Sequence, residues 1–414
     1  MKLRKNIFNM IKIYSEYLSD DILEEHFIKI YRCYRRVQTI LGSCRVDIRD
    51  RFVTAPTVYQ KCYTIALVAI STYLYICTNI LIYDNKVPDR SYSYYMYFCV
   101  LLLSYVSYIC NIIHVRFVNS DENSKFLIQL QKIDRLMEID GNKSMYGFIY
   151  LTNIVTLALL LTSYVLLYGA SWYKNVRDAI ELLGEFCNEV TFAIEISHCA
   201  NTTVFLVTRL RFLNSIILNH LQKDDENNDE KKESIFPTKS GMRYIASKTH
   251  DFVSTDTYVC LKAILDAYSK FQMLYRFQVL LFCIKSVGTI LTSFNIIFLS
   301  LQDKIVKKKE LDLFVYVQVP FITTLDIFIC TFMCVRNQLL FKEVDTIKRL
   351  CTKIMCVHYT GPLRDKAKKM LKLIEEAPPK FSVYDMWQMD VFFLLKVFNI
   401  LTTYIITTLQ FALL

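Results

Sequence analysis

The sequence predicts an all-α membrane protein, with seven transmembrane helices in an inverted arrangement (N-terminus cytoplasmic, C-terminus extracellular) above a helical cytoplasmic domain. Three observations predict it. Of 414 residues, 53% are apolar, with 28 Tyr, 28 Phe and a mean hydropathy of +0.27, more apolar side chain than one soluble domain hides. Only 8 Gly and 7 Pro interrupt the chain, which favours long helices. Seven runs also reach the roughly 17 to 25 mostly apolar residues that a bilayer demands.

Residues 1–61 read as a cytoplasmic N-terminal helical segment. The first apolar run follows Arg4, Arg32, Arg35, Arg36, Arg45, Arg49 and Arg51, so no signal peptide is expected. Spans one to four occupy 62–208, as 62–83, 93–115, 147–170 and 186–208. A cytoplasmic loop, 209–276, follows and carries a disordered insertion at 223–233, where KDDENNDEKKE offers nothing to bury. Spans five and six, 277–301 and 313–335, fill 277–335. Cytoplasmic helices cover 336–389, with a turn at Gly361-Pro362, a basic helix at 363–376 and a break at Pro378-Pro379; the last span is 390–414.

Below the membrane, Leu127, Leu130, Ile133, Leu136 and Met137 recur at helical spacing, as do Tyr258, Leu261, Ile264, Leu265 and Tyr268. Leu339, Leu340, Val344, Ile347, Leu350 and Ile354 repeat the pattern, and together these extensions imply an intracellular packing domain. Orientation rests on the first span, with twelve Lys+Arg before it against two in the loop after it. Lys307, Lys308 and Lys309, on the outer side, run against that signal.

The net charge of +10 is read as the basic inner face of a membrane protein rather than a nucleic-acid surface. The 14 cysteines lie mostly in apolar runs, as buried free thiols do. No GxGxxG, phosphate loop, HExxH or GxSxG occurs, so neither an enzyme nor a cofactor is expected. Cys351, Cys356 and His358 lack a fourth metal ligand. The sequons at Asn142 and Asn201 fall inside the cell and within a span, where neither is modified.

Charged and polar groups within spans are the remaining site signals, because each is costly there. In the fourth span Glu185, Glu189, Phe192, Ile196, Cys199 and Thr203 share a face with Glu195 at its margin. That face is either an interhelical hydrogen-bond seam or the wall of a small-molecule cavity. Lys285 and Asp326 stand at equal depth on consecutive spans and are expected to form a structural ion pair. On the last helix Lys396, Asn399, Thr403, Thr407 and Gln410 fall within an arc of about 80°, with Phe411 beside it. One such stripe is hidden either by helix packing or by several copies turning it toward a common aqueous axis.

The same helix reads Thr403-Tyr404-Ile405-Ile406-Thr407-Thr408-Leu409-Gln410-Phe411, which resembles the TYhhhhhQF signature of insect gustatory receptors. With seven spans and an internal N-terminus, the resemblance covers essentially the whole chain. It implies a tastant-gated, non-selective cation channel of the plasma membrane, related to insect odorant receptors: a homotetramer or heterotetramer whose last helices surround the pore. It further implies subunits joined through a cytoplasmic anchor domain, with Gln410 and Phe411 at the pore and gate. By depth and chemistry, Tyr164, Tyr168, Glu189, Phe192, Glu195, Phe294 and Phe298 are the candidate ligand-binding residues. Sugar-sensing members often carry Glu after the TY pair, where this chain has Ile405, so a bitter or plant-compound subtype is favoured, with a sugar-sensing one the alternative. A G-protein-coupled receptor would show an Asp-Arg-Tyr triplet, NPxxY and an outer-loop cysteine pair, and a transporter would show repeats and Gly/Pro-broken spans. The chain has none of the first set and only Gly288 in mid-span.

Overall fold

The computed structural model describes residues 22–85, 92–139, 143–172, 176–228, 256–307 and 313–413. Helix α1 (Glu25–Ile40) ends in a C-terminal cap at Gly42, whose φ of 70° only glycine adopts without strain, with Ser43 N–H donating to the Gln38 carbonyl at 2.8 Å. A two-residue turn at Asp50-Arg51, both at positive φ, closes the hairpin of β1 (Asp47–Arg49) and β2 (Phe52–Thr54). Helices α2 (Val58–Asn85) and α3 (Tyr92–Ile113) follow, and α3 passes through one π turn (His114–Val118) into α4 (Ser120–Leu136).

Next come α5 (Lys143–Trp172), α6 (Val176–Asn228), α7 (Thr257–Lys307) and α8 (Leu313–Val357). At 1.5 Å per residue the 53-residue α6 is roughly 80 Å long, against a hydrocarbon core of about 30 Å, so it must project far beyond the bilayer. Helices α7 and α8, at 51 and 45 residues, do the same. Their projections, with α1, α4 and α9 (Pro362–Glu376), build an apolar core around Leu130, Ile133, Leu213, Phe271, Ile347 and Met370. The short hairpin of β3 (Ser382–Val383) and β4 (Trp387–Gln388) leads into α10 (Val391–Leu413), which Asp390 caps by accepting the Phe393 N–H at 2.9 Å.

Among the described residues six helices are long and apolar enough to cross a membrane, and α10 contributes a further apolar stretch, Val391–Thr407. The molecule is an all-α membrane protein. Helix α6 lies at its centre: 94% of its apolar window is buried, against 17% for α2. The span with the most polar face in the sequence is therefore buried all round, because its neighbours supply the hydrogen bonds that lipid would not. The 223–233 insertion is helical as far as Asn228 and otherwise lies outside the described residues, as does Asn142; Asn201 is buried and donates to the Tyr34 hydroxyl at 2.9 Å. Burial pushes the Tyr34 pKa up, so that phenol stays protonated and bonds Ser197 Oγ at 2.6 Å.

Candidate functional site

Three polar clusters are buried in the bundle, each strung along α6. The innermost joins Arg209 of α6 to Asp134 of α4 through two parallel hydrogen bonds of 2.7 Å. Tyr146 of α5 donates to the same carboxylate at 2.8 Å, and Arg209 donates to Thr208 Oγ1 while stacking 3.5 Å from the centre of the Phe205 ring.

The middle cluster holds Glu195. Arg45, from the loop after α1, reaches it with Nε at 3.0 Å and Nη2 at 2.8 Å, and Gln38 donates to its other oxygen at 2.7 Å. Arg45 also donates to Asn123 and Gln278, and its guanidinium lies 4.1 Å from the Tyr275 ring centre. Glu195 is thus spent on tying the N-terminal segment to the bundle. It lies six residues from Glu189, roughly 9 Å along the helix and facing another way.

The outermost cluster holds Glu189, Lys285 and Asp326. Lys285 Nζ donates to Glu189, and the oxygen it approaches on Asp326 lies 3.7 Å away. Ser104 of α3 donates to Glu189 as well. The Lys285–Asp326 pair drawn from equal depth is present, but as the looser side of a triad. Gly288, one turn along α7, permits this approach: a Cβ there would stand 2.7 Å from Leu103 Cδ2 on α3. Aromatics surround the triad. The Phe192 ring lies 6.0 Å from Lys285 Nζ and meets Phe282 edge-on at 6.0 Å. Tyr164 is buried and stacks with Tyr168, which meets Phe186 edge-on at 5.6 Å.

Of the sequence-derived ligand residues, the fold therefore sets Glu189 and Phe192 beside Lys285, and buries Tyr164 and Tyr168 as a stacked pair on α5, which packs on α6. It leaves Phe294 exposed and Phe298 half-buried, and it assigns Glu195 to Arg45. Ser104 was not among the sequence-derived candidates, because a lone hydroxyl inside an apolar span is a weaker signal than a charge. Arg45 and Gln38 lie outside any span and gave no signal. Among the described residues no group of three or more His, Cys, Asp or Glu is arranged to hold a metal ion.

Helix α10 lies on α7 and α8 by one face only, through half-buried Phe393, Leu394, Val397 and Tyr404 and buried Leu401. Asn295 of α7 donates to the Tyr404 hydroxyl at 2.8 Å, which gives the tyrosine of the TY pair a fixing role that periodicity did not reveal. Lys396, Asn399, Thr403, Thr407 and Gln410 are all exposed, and the hydroxyls of Thr403 and Thr407 bond the carbonyls one turn back, at 2.9 and 2.8 Å. The side chain of Phe411 lies outside those described. Between α7, α8 and α10 lies a narrow crevice whose lining is chiefly apolar, with Asp326 and Ser286 among the residues around it.

A family profile described as "7tm Chemosensory receptor" matches residues 31–414. The fold resembles that of the insect olfactory receptor OR5 from Machilis hrabei. In complex with eugenol that structure superposes with a TM-score of 0.61 at 12% identity, covering 93% of this chain and 100% of the other. Without the ligand the TM-score is 0.59, with the same identity and coverage. No curated protein sequence matches the chain.

Proposed function

Because this chain belongs to the 7tm chemosensory receptor family, we propose that it is a gustatory receptor, a tastant-gated cation channel of the plasma membrane assembled as a homotetramer or heterotetramer. The observation that carries this reading is α10. Its apolar face is committed to α7 and α8, while its polar stripe of Asn399, Thr403, Thr407 and Gln410 is left exposed by the described residues. Four copies around an axis would turn those stripes toward water, with Gln410 and Phe411 at the constriction. The projecting ends of α6, α7 and α8 form the anchor domain in this reading, leaving the N-terminus cytoplasmic and the C-terminus outside.

The ligand is a small molecule, as eugenol is for OR5, and Tyr164, Tyr168, Glu189 and Phe192 wall its pocket. The aromatic lining and Ile405 after the TY pair favour a plant secondary compound of bitter type over a sugar. Expression in oocytes lacking added G proteins should give currents evoked by plant alkaloids and carried by cations, altered or abolished by Gln410→Ala. Ligand-stimulated nucleotide exchange on a G protein without any current would overturn the channel reading. Side-specific labelling of the two termini tests the topology separately.

A further inference from the structure

We propose that the outward face of α1 binds an anionic phospholipid of the cytoplasmic leaflet, with Lys29, Arg32 and Arg36 holding its headgroup. The inference goes beyond ligand gating. It rests on one part of that reading, the cytoplasmic N-terminus, because anionic lipids concentrate on the cytoplasmic side.

The stripe follows from helical spacing. At 100° per residue Phe27, Ile30, Tyr34 and Gln38 share the buried face of α1, while Lys29, Arg32 and Arg36 fall within an arc of about 60° on the opposite side, all exposed. None of the three forms an ion pair with a described residue. The neighbouring acids are engaged elsewhere, Glu24 with Arg135, Glu25 with Arg51 and Asp47 with Arg49. Like charges three and four residues apart weaken a helix slightly, so the stripe favours an anion from outside the chain.

The position of α1 decides which anion that is. It is not among the helices long and apolar enough to cross a membrane, yet it packs along α5, which is. Asn153 of α5 donates to the Ile30 carbonyl at 2.9 Å, and Lys29 Nζ lies 5.6 Å from the centre of the Tyr150 ring. Both α5 residues belong to its apolar run, Ser144–Gly169, and at 1.5 Å per residue Tyr150 lies roughly 9 Å along it. The 26-residue run is roughly 39 Å long, against a hydrocarbon core of about 30 Å, so Lys29 stands near the boundary of headgroups and acyl chains. The other end of α1 carries the same mark. The Tyr63 hydroxyl donates to the Ile40 carbonyl at 2.7 Å, and Tyr59 and Tyr63 stand exposed at the start of α2, as interfacial aromatics do.

Cations at this depth are costly against hydrocarbon, and their long stems let them reach a lipid phosphate instead. On the same stretch α5 exposes Leu151, Val155 and Leu159, which suit the acyl chains of such a lipid. The headgroup and tails of one molecule are thus both provided for.

The test titrates detergent-purified full-length protein with dioleoylphosphatidylserine or with dioleoylphosphatidylcholine, its zwitterionic counterpart with the same tails, and counts bound lipids by native mass spectrometry. Saturable preference for the serine lipid is expected, falling about fivefold per cation removed and so about 25-fold in Arg32→Gln/Arg36→Gln. Arg32→Lys/Arg36→Lys keeps the charge and should retain most of the preference. Lys368→Gln/Lys369→Gln loses the same charge from exposed positions on α9 and should leave it unchanged. All of these positions are exposed, and an unchanged melting temperature confirms that each variant folds. Equal retention of the two lipids, an undiminished preference in Arg32→Gln/Arg36→Gln, or an equal loss in Lys368→Gln/Lys369→Gln would overturn the proposal. Binding in micelles depends on neither current nor orientation, so its failure sinks this proposal and leaves the channel reading intact. A protein that prefers the serine lipid but passes no ions does the reverse.

Discussion

Two buried charge clusters on the same helix, Arg209–Asp134 and Lys285–Glu189–Asp326, are built on opposite principles. In the first, one cation meets one anion through a two-pronged fork, Tyr146 and Thr208 take up further hydrogen-bonding capacity, and Phe205 covers the guanidinium. In the second, two anions share one cation, and the farther anion, 3.7 Å from Lys285 Nζ, receives no hydrogen bond from a described residue. A satisfied cluster costs its full worth when broken, whereas an unsatisfied one has capacity left for something else. The difference separates a fully satisfied fastening of the helices from a cluster left partly unpaired.

Breaking the fastening should have the largest effect. Arg209→Met strands a carboxylate that is 0% exposed, with an expected loss of about 3–5 kcal/mol, read as a collapse of thermal stability in detergent or as failure to recover monodisperse protein. Arg209→Lys keeps the charge but not the fork and should recover only part of it. A smaller effect is expected between the clusters: Gly288→Val pushes a branched side chain into Leu103 and should cost about 1–3 kcal/mol in the same assay, displacing Lys285 relative to Ser104. Asn295→Ala removes the bond to Tyr404 and should cost about 1 kcal/mol, with a larger change in ligand-evoked current than in melting temperature. The smallest change belongs to the unsatisfied cluster. Asp326→Asn leaves Lys285 paired with Glu189 and should alter stability by less than about 1 kcal/mol, in either sense. Were it as damaging as Arg209→Met, the two clusters would be alike and the comparison would fail.

Much of the fold was legible because lipid imposes simple rules. Runs of apolar residues long enough to span, stripes at helical spacing below them, and breaks at Gly361-Pro362 and Pro378-Pro379 all correspond to described elements, since each reflects a local preference of the chain. The polar stripe of α10 was legible for the same reason: it is a property of one helix. Glu195 was not. Its spacing places it near Glu189, but its partner is Arg45, 150 residues earlier and in a loop without periodicity. The Lys285 pairing was read only in part, because depth predicts which spans face each other but not that a third acid on α6 would compete.

What the amino-acid order by itself determined is where helices form, which of them are apolar enough for a bilayer, and that the last one carries polar groups along one edge, because these depend on neighbours three or four positions away. Only the tertiary structure decided which charges meet, that the most polar span lies at the centre, and that Asp326 is left with unfilled hydrogen-bonding capacity. Such pairings join residues distant in the chain, and the free energy that selects them comes from burying every polar atom of the bundle at once.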